Sequence, residues 1–196
     1  MSFKFCLATK NPSKLREIKE ILKTFNCTII MPEVTKFPEE TGKTFLENAM
    51  NKAFFVSKYY PEIFVVAEDS GLVVPAIGGL PGIFSARFAG PDADDGKNIE
   101  KLLKYTRHLK NSKRDAYYIC VAVVVEPGGK HRSFEGRLYG RIVEKPRGNN
   151  GFGYDPIFEI PEIGKTVAEL SLEEKNRISH RAKAFLQVAD YLKSAV

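Results

Sequence analysis

Several common sources of function are missing from this 196-residue chain. No apolar run approaches the roughly 20 residues that span a bilayer, so no membrane partner is expected. The opening stretch, Met-Ser-Phe-Lys-Phe-Cys-Leu-Ala-Thr-Lys-Asn, lacks the long apolar region of a signal peptide. Cys6, Cys27 and Cys120 show no metal-binding spacing,. Cys6 and Cys120 sit in strand-like runs, where buried thiols are expected. No Pro/Gly/Ser linker divides the chain, and no repeat or low-complexity segment occurs. These absences point to one cytoplasmic domain over residues 1–196.

The hydrophobic content of 43% suits a substantial core,. The net charge of +6 allows an anionic ligand, either a polyphosphate or a nucleic acid,. The charges are interspersed, so a solvated surface rich in Lys and Glu explains most of them.

The run Ile63-Phe-Val-Val-Ala-Glu-Asp-Ser-Gly71 organises the rest. Its β-branched and aromatic residues predict a buried strand that stops on Glu68, Asp69, Ser70 and Gly71. In α/β folds, ligands bind at the carboxyl ends of strands. If strand geometry persists, Glu68 and Asp69 point to opposite faces and can take different roles. Asp-Ser-Gly also suits an ordinary turn.

Around this run the pattern alternates. A strand over 3–8 leads through Thr9-Lys10-Asn11-Pro12-Ser13-Lys14 into a helix with Leu15, Ile18 and Leu22 on one face,. A polar loop before a helix N-terminus can present N–H groups to a phosphate, and Lys14 in the first turn suits an anion there. It is not a P-loop, because the glycines are missing. A strand over 27–31 and a loop over 32–43 follow. Thr44-Phe-Leu-Glu47 matches a capping box and starts a helix to about Tyr60. Asn48 and Lys52 lie four apart and share a face of that helix, which a solvated surface also explains. Residues 77–90 form a glycine-rich shaped loop. Helix 95–109, strand 116–125 and strand 131–144 come next. In Gly151-Phe-Gly-Tyr-Asp-Pro156 the glycines allow close backbone approach and Phe152 offers a stacking surface; a core aromatic in a tight turn reads the same way. Ser171-Leu-Glu-Glu174 is a second capping box. His180 and Arg181 open the last helix, where cations are disfavoured unless a ligand or solvent accommodates them.

Taken in order, these motifs resemble the inosine triphosphate pyrophosphatase family, the Ham1-like non-canonical purine nucleoside triphosphate pyrophosphatases. The resemblance rests on Ala8–Lys14, Glu39-Glu-Thr-Gly42, Phe45-Leu-Glu-Asn-Ala49, Glu68-Asp-Ser-Gly-Leu72, Gly79–Arg87, Gly151–Pro156 and Ser179-His-Arg181. Glu68 departs from many bacterial members, where an aspartate is common, but keeps the charge. The resemblance implies an α/β fold: a long twisted mixed sheet flanked by helices, with two lobes and a central cleft. It implies a homodimer that hydrolyses ITP, dITP and XTP to the monophosphate and pyrophosphate with Mg²⁺.

The same resemblance implies roles. Glu40 and Asp69 would hold Mg²⁺, and Asp69 would accept the proton of the attacking water. Thr9, Lys10, Asn11, Pro12, Ser13 and Lys14 would take the phosphates, with Lys52 and Lys175 as further contacts. Ser70 would sit beside the substrate. Phe152, within the segment that includes Gly153 and Tyr154, would stack on the purine. Asp155, His180 and Arg181 would read the purine's edge. The chemistry of a triphosphate fits: its charges repel a nucleophile until cations neutralise them, and Mg²⁺ needs only one or two carboxylates. Two competing readings are a Maf-like pyrophosphatase for modified pyrimidine or methylated nucleotides, and a non-enzymatic nucleic-acid binder. Carboxylates at the binding site argue against the second.

Overall fold

The apolar run that predicted the central strand forms one, but the strand does not stop at its carboxylates. It runs over Phe64–Val73, so Glu68, Asp69 and Ser70 lie inside it and not in a turn. Hydrophobic residues on both sides of the polar triplet, Val65 to Ala67 and Leu72, are buried and carry the backbone straight through,.

The computed structural model describes residues 2–34 and 36–195; Thr35, in the predicted loop 32–43, lies outside the described residues. Strands are β1 (Phe3–Leu7), β2 (Cys27–Ile30), β3 (Phe64–Val73), β4 (Asp115–Val125), β5 (His131–Ile142), β6 (Phe158–Ile160) and β7 (Lys165–Thr166). Helices are α1 (Pro12–Ile21), α2 (Phe45–Ser57), α3 (Asp95–Thr106), α4 (Leu172–Ile178) and α5 (His180–Ser194). The strands form one sheet in the order β2-β1-β3-β4-β5-β6-β7. The sheet is mixed: β1 pairs parallel with β2 and β3, while β6 pairs antiparallel with β5 and β7. Among the described residues no helix is long and apolar enough to cross a membrane.

The chain divides into two compact units. The first takes the residues up to Asp69, Cys120–Gly136 and those from His180 on; the second takes Ser70–Ile119 and Arg137–Ser179. In the first unit, strand alternation sorts the core. Phe5, Leu7, Val66, Ala122 and Val124 pack with Ile18 of α1 and with Phe185, Val188 and Leu192 of α5. Cys6, Ala8, Val65, Ala67, Val123 and Val125 pack with Ala49, Ala53 and Val56 of α2. Cys6 and Cys120 are buried thiols, as expected.

Helix entries follow their caps. Asn11 caps α1, accepting the Lys14 N–H at 3.0 Å, and Pro12 takes the first helical position, where its missing N–H costs nothing,. Thr44 caps α2 by accepting the Glu47 N–H. The predicted reciprocal bond is displaced by one residue: the Glu47 carboxylate accepts from the Lys43 N–H at 2.6 Å. Ser171 and Glu174 form the complete box at α4,.

In the second unit Leu72, Leu102, Tyr118, Leu138, Ile142 and Phe158 form the core. The glycine-rich segment 77–90 is ordered by short 3₁₀ turns at Pro75–Ile77 and Gly82–Arg87. Asn98 of α3 pins its end, accepting the Ala89 N–H at 2.7 Å and donating to the Ala86 carbonyl at 3.2 Å. Strands β6 and β7 were not expected from sequence. At three and two residues they are too short to show a period,.

Candidate active site

The alternation that sorts the core of the first unit also sorts the two carboxylates. Glu68 keeps step with Val66 and faces α1 and α5; Asp69 keeps step with Ala67 and faces α2,.

Glu68 is buried, and its Oε1 lies 2.8 Å from Lys14 Nζ and 3.6 Å from Arg181 Nη2. The Cys120 thiol donates to Oε2 at 3.6 Å. Arg181 also pairs with the buried Glu17 of α1. Burial alone would raise the Glu68 pKa, but Lys14, Arg181 and Lys52 outweigh it and hold the carboxyl well below its ordinary value,. His180 and Arg181 are both buried, so the alternative of a surface pair at the helix start does not hold.

Asp69 meets a different set. Its Oδ2 accepts from Asn48 Nδ2 at 3.0 Å, and its Oδ1 lies 3.8 Å from Lys52 Nζ. Lys52 donates to Glu40 Oε1 at 2.6 Å. The shared face of Asn48 and Lys52 therefore meets Asp69 and is not a solvated surface, with Asn48 buried. Burial raises the Asp69 pKa, Lys52 opposes this, and Glu40 adds to it; the net direction is upward. For Lys52, burial pushes the pKa down, but Asp69, Glu40 and Glu68 more than compensate and raise it. An ammonium held this firmly charged suits contact with an anion.

The group can take a divalent cation. Among the described residues no three His, Cys, Asp or Glu side chains cluster as a closed metal cage. Magnesium does not need one: it keeps several waters and takes one or two carboxylates plus phosphate oxygens. Glu40 and Asp69 converge on the Lys52 ammonium, which stands where both carboxylates already favour positive charge. The wider group sets Lys14, Lys52 and Arg181 against Glu17, Glu40, Glu68 and Asp69. Its carboxylates offer oxygen, the donor that Mg²⁺ prefers.

The remaining predicted phosphate contacts lie at the start of α1. Thr9 Oγ1 accepts the Asn11 N–H at 3.2 Å, which tightens the loop. Pro12 and Ser13 begin the helix. The Lys10 ammonium lies 5.3 Å from the centre of the Phe37 ring.

The second unit holds the aromatic loop. Asp155 is buried and gathers three donors: Lys175 Nζ at 2.5 Å, the Phe152 N–H at 3.0 Å and the Tyr118 hydroxyl at 3.1 Å. Lys175 lies 4.8 Å from the centre of the Phe152 ring, a cation–π contact,. Gly151 has φ +76°, and a Cβ there would stand 2.0 Å from Asp155 Oδ2, so the turn requires glycine,. The Gly153 N–H donates to Asp95 Oδ2 at 2.6 Å. Tyr154 points inward, its hydroxyl donating to the Ser85 carbonyl at 2.9 Å. Ser70 belongs to this unit, next to Asp69 in β3.

The structure thus brings Lys14 and Arg181 together on Glu68, and Lys52 together with Glu40 and Asp69. It separately brings Phe152, Asp155 and Lys175 together. Asn48, Glu17, Tyr118 and Asp95 are contributors that sequence reasoning missed. For Asn48 the signal existed, in its helical spacing from Lys52.

An open mixed sheet with a carboxylate pair inside one strand, lysines on both sides and a glycine-flanked aromatic loop defines an α/β protein equipped for a polyphosphate and its counter-ion. The chain belongs to the Ham1 family, whose model matches residues 5–191. It is 46% identical to the dITP/XTP pyrophosphatase of Clostridium perfringens over 97% of both chains. It is 48% identical to that of Thermus thermophilus over 92% of this chain and 87% of the other. The Staphylococcus aureus Ham1 protein superposes with a TM-score of 0.87 at 38% identity, covering 98% of this chain and all of that one. A HAM1 protein from Coxiella burnetii gives 0.87 at 39% identity, covering 98% and 99%.

Proposed function

We propose that this chain hydrolyses ITP, dITP and XTP to the nucleoside monophosphate and pyrophosphate, clearing non-canonical purines from the nucleotide pool. The observation that carries the reading is Asp69. It is a buried carboxylate with a raised pKa, held inside a strand by Asn48 and flanked by Lys52. Close relatives over almost the full length bear the name dITP/XTP pyrophosphatase.

The chemistry divides among named residues. Asp69 takes a proton from water as the water oxygen bonds to the α-phosphorus. The bond from that phosphorus to the bridging oxygen then breaks, and pyrophosphate leaves with the electron pair. Lys14, Lys52 and the N-terminal turn of α1, with Thr9, Lys10, Asn11, Pro12 and Ser13, bind the phosphate oxygens and neutralise them. Glu40 and Asp69 would hold Mg²⁺, which when bound supplies charge neutralisation and polarisation of phosphoryl oxygens. Phe152 stacks on the purine and Ser70 lines its approach. Asp155 and Lys175 set the Phe152 loop, whose backbone includes Gly153 and Tyr154. His180 and Arg181 donate to the C6 oxygen of hypoxanthine or xanthine; adenine offers a donor there, and donor facing donor is penalised. The active form is a homodimer of single-domain chains in the cytoplasm, with no nucleic acid or membrane partner.

The test is pyrophosphate release, coupled to inorganic pyrophosphatase, across a panel of triphosphates at equal concentration with Mg²⁺. The expected result is high kcat/KM for ITP, dITP and XTP and low values for ATP and GTP. Preference for a modified pyrimidine or methylated nucleotide would select the Maf-like reading. No release from any nucleotide would leave a binding protein.

A further inference from the structure

Asp69 can act as a base only if one oxygen is presented consistently, and a carboxylate's terminal torsion is broad and close to two-fold. Something must choose the oxygen. Asn48 is buried and makes two bonds: its Oδ1 accepts the Gly42 N–H at 2.8 Å, and its Nδ2 donates to Asp69 Oδ2 at 3.0 Å. The orientation of the amide is not arbitrary. A backbone N–H can only donate, so the atom facing Gly42 must be the oxygen. The amide nitrogen is thereby turned to Asp69 and occupies Oδ2 as an acceptor. Oδ1 is thereby turned toward Lys52, 3.8 Å away.

The same carboxamide spans two parts of the site. Gly42 follows Glu40 by two residues, so the bond to its N–H fastens the loop that carries Glu40. Space at this point is tight: a Cβ on Gly42 would stand 2.6 Å from Asn48 Oδ1 and 2.8 Å from Glu47 Cβ. Gly42 is therefore present to let the amide approach.

We propose that Asn48 is a positioning residue of this site, fixing the rotation of the Asp69 carboxylate and locking it to the Glu40 loop. This rests on the reading of Asp69 as the base. Asn48 touches neither substrate nor metal in this account; it acts through Asp69.

The experiment is a double-mutant cycle on the full-length protein with ITP and Mg²⁺. Asn48→Ala is expected to lower kcat about 10–100-fold, the scale of a small misplacement of a catalytic group, with KM changed less than about threefold. In an Asp69→Asn background the same substitution should change kcat less than about twofold, because the carboxylate it orients is gone. A second readout needs no turnover: Mn²⁺ affinity of the free protein, followed by electron paramagnetic resonance, should fall with Asn48→Ala but not fall further when Asp69→Asn is already present. Gly42→Ala serves if Asn48→Ala does not fold. It displaces the amide without emptying its site and should give the same kcat-selective, Asp69-dependent loss. Equal losses in both backgrounds would make Asn48 a plain structural residue and overturn the proposal, as would a rise in KM with kcat intact. If Asp69→Asn alone keeps near-normal turnover, the fault lies with the base assignment and the positioning role falls with it. An inactive Asp69→Asn with a failed cycle faults only Asn48.

Discussion

The charged group around Asp69 in the first unit and the one around Asp155 in the second pair their side chains differently. In the first, cations are shared: Lys52 lies between Glu40 and Asp69, and Glu68 faces both Lys14 and Arg181. In the second, Asp155 pairs with Lys175, and the carboxylate also ties the Phe152 N–H and the Tyr118 hydroxyl. The bond to the Phe152 N–H fixes the loop. The first arrangement is suited to handling reacting groups; the second is suited to holding a shape. Substitutions at Asp69 and Lys14 should therefore act on all triphosphates alike, and substitutions at Asp155 on the stability of the Phe152 loop.

The largest effect expected is that of Asp69→Asn, which should lower kcat about 10²–10⁴-fold through loss of the base, before any loss of metal binding is added. Melting temperature should hold, since the amide is isosteric and burial already disfavours the charged form. Retention of more than about a tenth of wild-type kcat at saturating Mg²⁺ would move the base elsewhere.

Asp155→Ala tests the other side of the comparison. It leaves the Lys175 ammonium buried without its counter-ion, a change that costs about 3–5 kcal/mol of stability. Denaturant unfolding at pH 7 measures it. A loss below about 1 kcal/mol, the value of a surface pair, would mean that the loop is held by its glycine turn and not by this pair.

Lys14→Ala should act more mildly, raising KM by the worth of a charge-assisted contact, about 1.5–3 kcal/mol. The loss should be the same for ITP and XTP, because phosphate contacts do not read the base. Unequal losses would put Lys14 at the purine and blur the division between the units.

Much of this was legible in the sequence because the signals were periodic. The parity of Glu68 and Asp69 in a run of β-branched residues predicted opposite faces, and the structure gives each its own helix partners. The caps at Thr44 and Ser171 mark true helix starts. What could not be read was depth. Asp-Ser-Gly signalled the end of a strand because those residues favour turns, yet burial by the flanking apolar residues overrides the preference,. Asn48 looked like a solvated neighbour of Lys52, because helical spacing shows which residues share a face and not what that face meets. Glu17 gave no signal either: its partner Arg181 lies at the other end of the chain, and pairing over such a separation has no local signature.

The smallest effect concerns the two neighbouring carboxylates, whose pKa values move in opposite directions. The Glu68 carboxyl is held well below its ordinary value of 4.5 once Lys14, Arg181 and Lys52 have overcome the cost of burial. A carboxyl depressed on folding adds stability that is present above the ordinary value and lost as pH falls below it. One such group forfeits about 1 kcal/mol by pH 4, because the unfolded chain gains a proton that the folded chain refuses. Asp69 works the other way: its raised pKa makes the folded state favour the proton, so its contribution is lost as pH rises through the folded value. Glu68→Gln should therefore be less stable than wild type at pH 7, and the gap should narrow by about 1 kcal/mol on acidification to pH 4. Asp69→Asn should show no such narrowing. Urea unfolding of the three proteins at both pH values measures the difference. A gap for Glu68→Gln that is unchanged at pH 4 would mean that the Lys14–Glu68–Arg181 contacts are not what depresses the carboxyl, and that the two faces of the strand are electrostatically alike.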